Sequence, residues 1–486
     1  MKILFKIYPQ RSHYNGTFPI AGALARMGHE VAYVGIESLR AHVEAQGFSY
    51  IVQDDDIYPH AEAQPLAGSE LTSFRDKLAA WMQFRKWAKA RWRRCSALDE
   101  VIHRIPFDFL MLDSPYSFFA LALCRDQKRF GIIESMMPQD QSVGCPPLSS
   151  TYIPRGTWWS DRICDGLWVR YLLKRWFLGA SGMRPDYDKR LIRRTASQMG
   201  VSPSDLDIRR YFHIGFRNAP EFVISPQCLD FPRTAMPNRV HLTIRVNPDR
   251  PESQWDYGFT SRFESMVASR PGIPLVYCSH GTAGWRYKGT TSFLGNVIES
   301  AKGSPWNLIV SIGNLDRSML PSPPPNVAVL QSVPQMRVLK SCDLMITHGG
   351  MNSITECVAL GVPILVCPGT HQIDQAGNAA RVVYHGIGLL GNLRRETTES
   401  LKQKIGQILG NPGFRDQCLR MKQRMDSSPE LETILSTHFG NTTEACRAAE
   451  SAQLVKEGRK ERSSLPKKTF DATSSLTWLD GSRVEN

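Results

Sequence analysis

The 486-residue sequence lacks several features that would assign it to a class at once. None of its eleven cysteines stands in a C-x-x-C pair: Cys95, Cys124, Cys145, Cys164, Cys228, Cys278, Cys342, Cys357, Cys367, Cys418 and Cys446 are scattered. An odd count without zinc or disulfide spacing predicts reduced, partly buried thiols in a cytosolic protein. No stretch approaches the roughly 18 uncharged apolar residues of a membrane-spanning helix. The opening, MKILFKIYP, has too short an apolar run for a signal peptide. The 36 Gly and 31 Pro are near average usage, which excludes collagen-like and low-complexity chains. A cytoplasmic protein is expected, soluble or peripheral on the inner face of the membrane.

What is present is ordinary globular composition, 42% hydrophobic and 22% charged. At roughly 100–200 residues per domain, two or three domains are expected, each able to bury a core. The net charge of +13 suits an anionic partner: nucleic acid, a membrane surface or a phosphorylated small molecule. Charge alone does not choose among them.

The chain opens with an apolar run, Ile3 to Ile7, then a polar turn from Pro9 to Asn15. A helical pattern from Phe18 to Met27 stops at Gly28-His29, and a second apolar run follows from Val31 to Val34. Strand, helix, glycine stop and strand make a βαβ opening. Phe109–Leu112 reads as a strand ending at Asp113, followed by an apolar helix candidate at Phe118–Leu123 and a short strand at Ile132-Ile133. Residues 150–220, rich in Trp, Arg and Lys, read as helices. Glu221–Ser225 looks like a strand, and Pro226, Pro232, Pro237, Pro248 and Pro251 mark a linker. A second strand series runs Leu275–Cys278, Leu308–Ser311, Val327–Leu330, Leu344–Thr347 and Ile364–Cys367, with helical patterns between. Such alternation implies parallel sheets, and ligands of those folds sit at the carboxyl ends of the strands. The expectation is an α/β chain with a first domain at 1–235, a linker at 236–268, a second domain at 269–440 whose last helix, near residues 429–438, crosses back, and a polar, flexible tail at 441–486.

His348-Gly349-Gly350-Met351-Asn352-Ser353 follows the strand Leu344–Thr347 and runs on into Ile354-Thr355-Glu356. Two glycines at a strand-to-helix junction let backbone approach a ligand, and the new helix directs its N–H groups there. Roughly half a positive charge at such a terminus suits a diphosphate. His348 could donate to a phosphate oxygen. Asn352 and Ser353 are also N-cap residue types, so local chemistry alone describes a well-capped helix equally well.

Val333-Pro334-Gln335 precedes this segment, and Gly361-Val362-Pro363, Pro368, Asp374-Gln375 and Asn378-Ala379 follow it. In this order and spacing the stretch resembles the nucleotide-sugar signature of the family 1 (UDP-dependent) glycosyltransferases. The HGGMNS form is similar to their bacterial macrolide- and carotenoid-type branch. The resemblance implies the GT-B arrangement, two doubly wound Rossmann-like domains with a cleft between them. It also implies a donor site that includes Val333 and Gly350. Gln335 would meet the nucleobase, His348, Asn352 and Ser353 the diphosphate, Glu356 the ribose, and Asp374 and Gln375 the sugar hydroxyls. A carboxylate accepts from paired hydroxyls, and a carboxamide both donates and accepts. Without the family, Asp374 reads as a surface residue at a helix start. Ser332 stands where many members carry a base-stacking Trp, so UDP- and TDP-sugars both remain candidates. Upstream, Ser279-His280-Gly281-Thr282 resembles the family's Ser-Phe-Gly-Ser turn, which implies phosphate contacts from Ser279, Gly281 and Thr282.

His13-Tyr14-Asn15 before Thr17-Phe18, and Gly28-His29-Glu30-Val31 after the helix, resemble the family's His-x-Asn-Pro opening and Gly-His-x-Val strand entry, with Gly16 in place of Pro. This implies that His13 is the general base, that Asp113 orients it, and that His29 is a structural turn residue. A neutral imidazole of pKa about 6.5 can take a proton from a hydroxyl at physiological pH. A carboxylate partner stabilises the imidazolium that forms. A solvated loop histidine is the plain alternative. The implied reaction is an inverting single displacement that moves a hexose, glucose by expectation, from a UDP-sugar to a hydroxyl of a hydrophobic small molecule or lipid. No cofactor or metal is expected, because fixed dipoles take the cation's electrostatic role.

Asp54-Asp55-Asp56 contains the Asp-x-Asp by which the other major glycosyltransferase fold holds a divalent cation, but far from the donor signature a solvated acidic loop is the plainer reading. Two stretches interleave cations with rings, Trp81–Arg94 and Trp168–Leu178. They read as half-buried helices over the acceptor cleft, or as an anionic-membrane contact delivering a lipid-soluble acceptor. Nucleic acid is not expected as a partner, since no recognised module accompanies the charge. Two other functions fit the architecture: a sugar-nucleotide epimerase, which needs no base in the first loop, and a non-catalytic, membrane-associated sugar-nucleotide or lipid binder.

Overall fold

The computed structural model describes residues 1–53, 75, 78, 82, 101, 103–180, 189–210, 213–247, 258–268, 272–281, 284, 287–370 and 374–440. Asp54–Asp56, the tail 441–486 and, apart from Met82, the stretch Trp81–Arg94 lie outside them.

β1 (Lys2–Lys6) and β2 (Glu30–Gly35) pair in parallel, and the helix Arg11–Arg26 carries the chain between them. That helix begins inside the expected polar turn. Tyr14 and Thr17 already lie on the stripe that takes Ile20, Ala21 and Leu24 into the core, so the polar start is its first turn. β3 (Ser49–Val52), β4 (Phe109–Asp113) and β5 (Phe130–Glu134) follow. A small antiparallel pair, β6 (Leu206–Asp207) and β7 (Gly215–Phe216), precedes β8 (Glu221–Val223) and β9 (Arg239–His241). The first sheet is seven-stranded in the order β3-β2-β1-β4-β5-β8-β9, and each pairing is parallel.

β9 corrects the expected boundaries. It falls inside the segment read as a linker, so the first sheet extends through His241. Three residues beyond a Pro-punctuated loop give too short an apolar pattern to read as a strand.

The second sheet contains β10 (Leu275–Ser279), β11 (Asn307–Ser311), β12 (Val327–Leu330), β13 (Leu344–Thr347), β14 (Ile364–Val366) and β15 (Gly388–Leu390). Its order is β12-β11-β10-β13-β14-β15, again all parallel. The central strands are buried along their whole length, which explains their unbroken Val, Ile and Leu runs. Strand order reverses between β1 and β4 and between β10 and β13. These switch points open crevices at the strands' carboxyl ends.

The last described helix, Leu431–Phe439, returns to the first domain, as expected of a helix near residues 429–438. Leu435 and Phe439 join the same core as Ile3 and Phe5. The Phe439 ring meets Phe109 edge-on at 4.9 Å and stacks on Phe222 at 6.1 Å. Arg26 pairs with Glu432 at 2.6 Å. Replacing Phe439 with Ala should therefore lower unfolding stability by about 3 kcal/mol, as expected for a buried ring. An unchanged urea midpoint would contradict this packing.

Candidate active site

Neighbouring strands bring together two side chains 100 residues apart. His13 lies in the first turn of the helix after β1, and Asp113 ends β4. His13 Nδ1 is 2.7 Å from Asp113 Oδ2, which also accepts from Tyr8 N at 3.1 Å. The Ser135 hydroxyl lies 3.4 Å from the same ring nitrogen. A carboxylate only accepts, so Nδ1 carries the proton and Nε2 keeps its lone pair. Asp113 is buried, while the His13 side chain is 22% exposed. Burial disfavours the imidazolium, but the charge and hydrogen bond of Asp113, aided by the charge of Asp374, outweigh it. The net effect is a His13 pKa raised above 6.5.

Behind this pair, Glu134 ends β5 without exposure to solvent. It accepts from Ser114 Oγ at 3.3 Å and Met136 N at 3.1 Å, and from the Gln139 amide. Burial pushes its carboxyl up to about 8 against the opposing charge of Arg210.

On the other sheet, His348 follows β13 and the helix Met351–Ala359 starts from Gly350. No side chain caps that helix, so Asn352 and Ser353 are not its caps. Asn352 Nδ2 instead donates across to Ser12 O at 3.0 Å, beside His13. Gln335 Nε2 donates to Glu356 Oε2 at 2.5 Å and lies 3.5 Å from Ser353 Oγ, while Tyr277 OH donates to Gln335 Oε1 at 3.3 Å. Residues assigned by resemblance to base, diphosphate and ribose thus form one hydrogen-bonded patch, with Val333 half-buried against the adjoining core.

Ser279 ends β10, and its hydroxyl accepts from Gly281 N at 3.4 Å. Gly281 has φ +70°, and a Cβ there would sit 2.7 Å from His348 Cε1. Only glycine allows this turn against the ring. Thr282 lies outside the described residues. His280 is buried edge-on to Phe293 at 4.9 Å and 6.4 Å from the His348 ring. Burial, with a contribution from His348, pushes His280 down to about 3. Burial pushes His348 down to about 4, so it can offer a phosphate a neutral N–H rather than a cation.

Asp374 immediately precedes the helix Gln375–Tyr384 without capping it, and its side chain accepts from Asn378 Nδ2 at 2.8 Å. Asn378 Nδ2 also donates to Gly349 O at 2.9 Å, tying the two donor segments together. Burial raises the Asp374 pKa, although the Asn378 bond and His13 oppose it. Gln375 is held by the neighbouring loop. Its Oε1 accepts from Gly369 N at 3.0 Å and Thr370 N at 3.2 Å, and its Nε2 donates to Tyr287 OH at 2.7 Å. In this conformation the carboxamide is engaged in shaping the loop, and Asp374 is the group whose charge reaches His13.

Sequence reasoning missed Glu134 and Tyr287 altogether. Their signal is positional, since Glu134 ends the strand next to the one that ends in Asp113. Of the basic aromatic stretches, Trp168–Leu178 lies on the helix Trp158–Ala180. Trp168 is buried and donates to Cys145 O at 2.7 Å, and Arg175 is buried on the same face. Among the described residues no helix is long and apolar enough to cross a membrane.

Two doubly wound parallel sheets with facing strand ends define the GT-B fold. Solved structures share it. The calicheamicin glycosyltransferase CalG4 matches with TM-score 0.59 at 18% identity over 93% of this chain and 97% of that one. The glycosyltransferase VinC in complex with DTDP matches with TM-score 0.60 at 16% identity over 90% and 98%. Residues 297–437 match the family described as erythromycin biosynthesis protein CIII-like, C-terminal domain. A 146-residue stretch is 34% identical to the NDP-glycosyltransferase YjiC of Bacillus subtilis (strain 168), covering 30% of this chain and only 36% of that relative's length. Over 425 residues the chain is 24% identical to the zeaxanthin glucosyltransferase of Pantoea ananas, covering 85% of this chain and 90% of that protein. The family match lies in the second domain, and these glycosyltransferase relatives and GT-B neighbours agree with the resemblance read from the sequence.

The His13 pair gives a test that needs no substrate. Followed by NMR, His13 should titrate above 6.5. In Asp113→Asn, burial remains while the charge is lost, so the midpoint should fall below 6.5. The stabilisation from the raised pKa is full below about pH 6.5 and fades as pH rises through the folded value.

Proposed function

We propose that this chain transfers a hexose from a nucleoside-diphosphate sugar to a hydroxyl of a hydrophobic small molecule or lipid, with inversion. UDP-glucose is the donor we favour, and TDP-glucose the alternative. The observation that carries the reading is the His13–Asp113 pair at 2.7 Å, with the charge of Asp374 on the facing domain acting on the same imidazole. His13 Nε2 takes the acceptor's hydroxyl proton as that oxygen forms a bond to the anomeric carbon. The bond from this carbon to the diphosphate oxygen breaks, and its electron pair leaves with the nucleotide. Attack from the opposite face inverts the configuration. The open N-terminus of Met351–Ala359 and the neutral His348 stabilise the departing charge without a metal. Asp374 would hold the sugar, and Gln335 and Glu356 the nucleoside.

An epimerase needs no base in the first loop, so His13→Ala separates the readings. Transfer should fall on the order of 10²- to 10⁴-fold while donor binding by calorimetry persists. The substrate assay is mass spectrometry with UDP-glucose and TDP-glucose in parallel against a panel of apolar alcohols and carotenoid-like diols. Failure of both nucleotide sugars to bind at millimolar levels would sink the proposal. In the native protein, kcat/KM should rise with pH through the His13 pKa, because only the neutral ring accepts a proton.

A surface feature bears on the acceptor. On the helix Trp158–Ala180 the outward Trp159, Trp176 and Phe177 are 72%, 68% and 59% exposed, with Arg170 and Lys174 exposed among them. Rings beside cations suit the interface of an anionic bilayer, and support acceptor uptake there. Sedimentation with phosphatidylglycerol vesicles, but not with phosphatidylcholine vesicles, is expected for the native chain and lost in a Trp176→Ser/Phe177→Ser variant.

A further inference from the structure

The helix Gln375–Tyr384 packs on β14 and β15 of the second sheet, yet the first domain grips it twice. Gly377 N donates to Leu148 O at 2.7 Å, and a Cβ on Gly377 would also lie 2.7 Å from that oxygen. One turn further on, Arg381 Nε and Nη2 reach Asp230 Oδ1 at 2.9 and 2.6 Å, both side chains almost sealed from solvent. Asp230 lies between β8 and β9, so this ion pair crosses from one domain to the other. Charges alternate behind it. Arg233 joins Asp230 at 2.6 Å and Asp140 at 3.8 Å, and Arg239 joins Asp140 at 2.5 Å and Glu221, on β8, at 3.6 Å. The grip is thereby anchored in the first sheet.

Buried ion pairs give little net stability, because desolvation offsets most of the attraction. A planar, two-pronged guanidinium contact does fix geometry, since it admits few approaches of the carboxylate. Asp374 stands at the start of this helix, seven residues before Arg381, two turns or about 10 Å along one rod. Arg381 Nη1 also donates to Gly377 O at 2.9 Å, which stiffens the turn between the two grips. We propose that Arg381 and Asp230 are positioning residues that set Asp374 against His13, holding donor sugar and base in register across the domains. This rests on the transfer reading above.

Arg381→Lys keeps the charge and loses the fork. Gly377→Ala keeps every charge and forces the helix away from Leu148. In both, transfer kcat should fall roughly ten- to a hundredfold while UDP affinity, set within the second domain, changes by less than about twofold. The His13 NMR titration is a readout independent of turnover. It should move down in both variants, in the direction that Asp374→Asn moves it. Full kcat in the folded variants, or a His13 midpoint unmoved while Asp374→Asn shifts it, overturns the inference. A lower Tm with both readouts unchanged makes the pair merely structural and overturns it too. If Arg381→Lys does not fold, Gly377→Ala carries the test. If the native protein transfers no sugar but His13 still shifts in the variants, the positional link stands and the transfer reading falls.

Discussion

In a parallel sheet every strand delivers its carboxyl end to the same edge, and this constraint decides where chemistry gathers in this chain. His13 and Asp113 come from the ends of β1 and β4, and Glu134 from the end of β5. Ser279 and His348 come from the ends of β10 and β13, also adjacent and parallel. Each domain therefore presents its polar residues on one rim. Because Asn352 reaches Ser12 across the gap, the two rims face each other.

The rims differ in their electrostatics. On the first, burial pushes the Glu134 carboxyl up to about 8, and the anions whose charge acts on His13 are Asp113 and, from the facing rim, Asp374. On the second, burial keeps His280 and His348 neutral down to about 3 and 4. Positive potential there must come from fixed dipoles, the glycine-rich turn and the uncapped helix start, rather than from a titrating side chain. The histidines of the second rim thus stay neutral where His13 titrates, and that rim offers an anion site built on fixed dipoles. That division suits a reaction in which one partner gives up a proton and the other leaves as a phosphate.

Much of this was legible in the sequence, for reasons that also set its limits. Buried parallel strands are continuous apolar runs, so β1, β2, β4 and the strands of the second sheet up to β14 stand out by composition. β9 and β15 do not, because three-residue edge strands carry too little pattern. The His348–Gln375 segment was readable because its residues are close in sequence and fixed by backbone geometry. The present partners of Gln375 were not readable for the opposite reason: its amide meets Gly369, Thr370 and Tyr287, and which partner wins is a tertiary matter. Arg381 illustrates the remaining blindness. In sequence it is one more cation on an amphipathic helix, and nothing local marks it as buried opposite Asp230.

Two of the contacts between the domains are chemically unlike, and the contrast bears on how the cleft responds to load. At its mouth the Asn352–Ser12 hydrogen bond is exposed, and water can replace it at a cost of about 1 kcal/mol or less. At the seam, parting Arg381 from Asp230 would strand buried charge, at a cost on the order of 3–5 kcal/mol. On the first domain's other side, the return helix adds the apolar burial of Leu435 and Phe439. The seam is therefore much the stiffer contact. Losing the hydrogen bond at the mouth would leave the seam intact, and with it the place of Asp374 relative to His13.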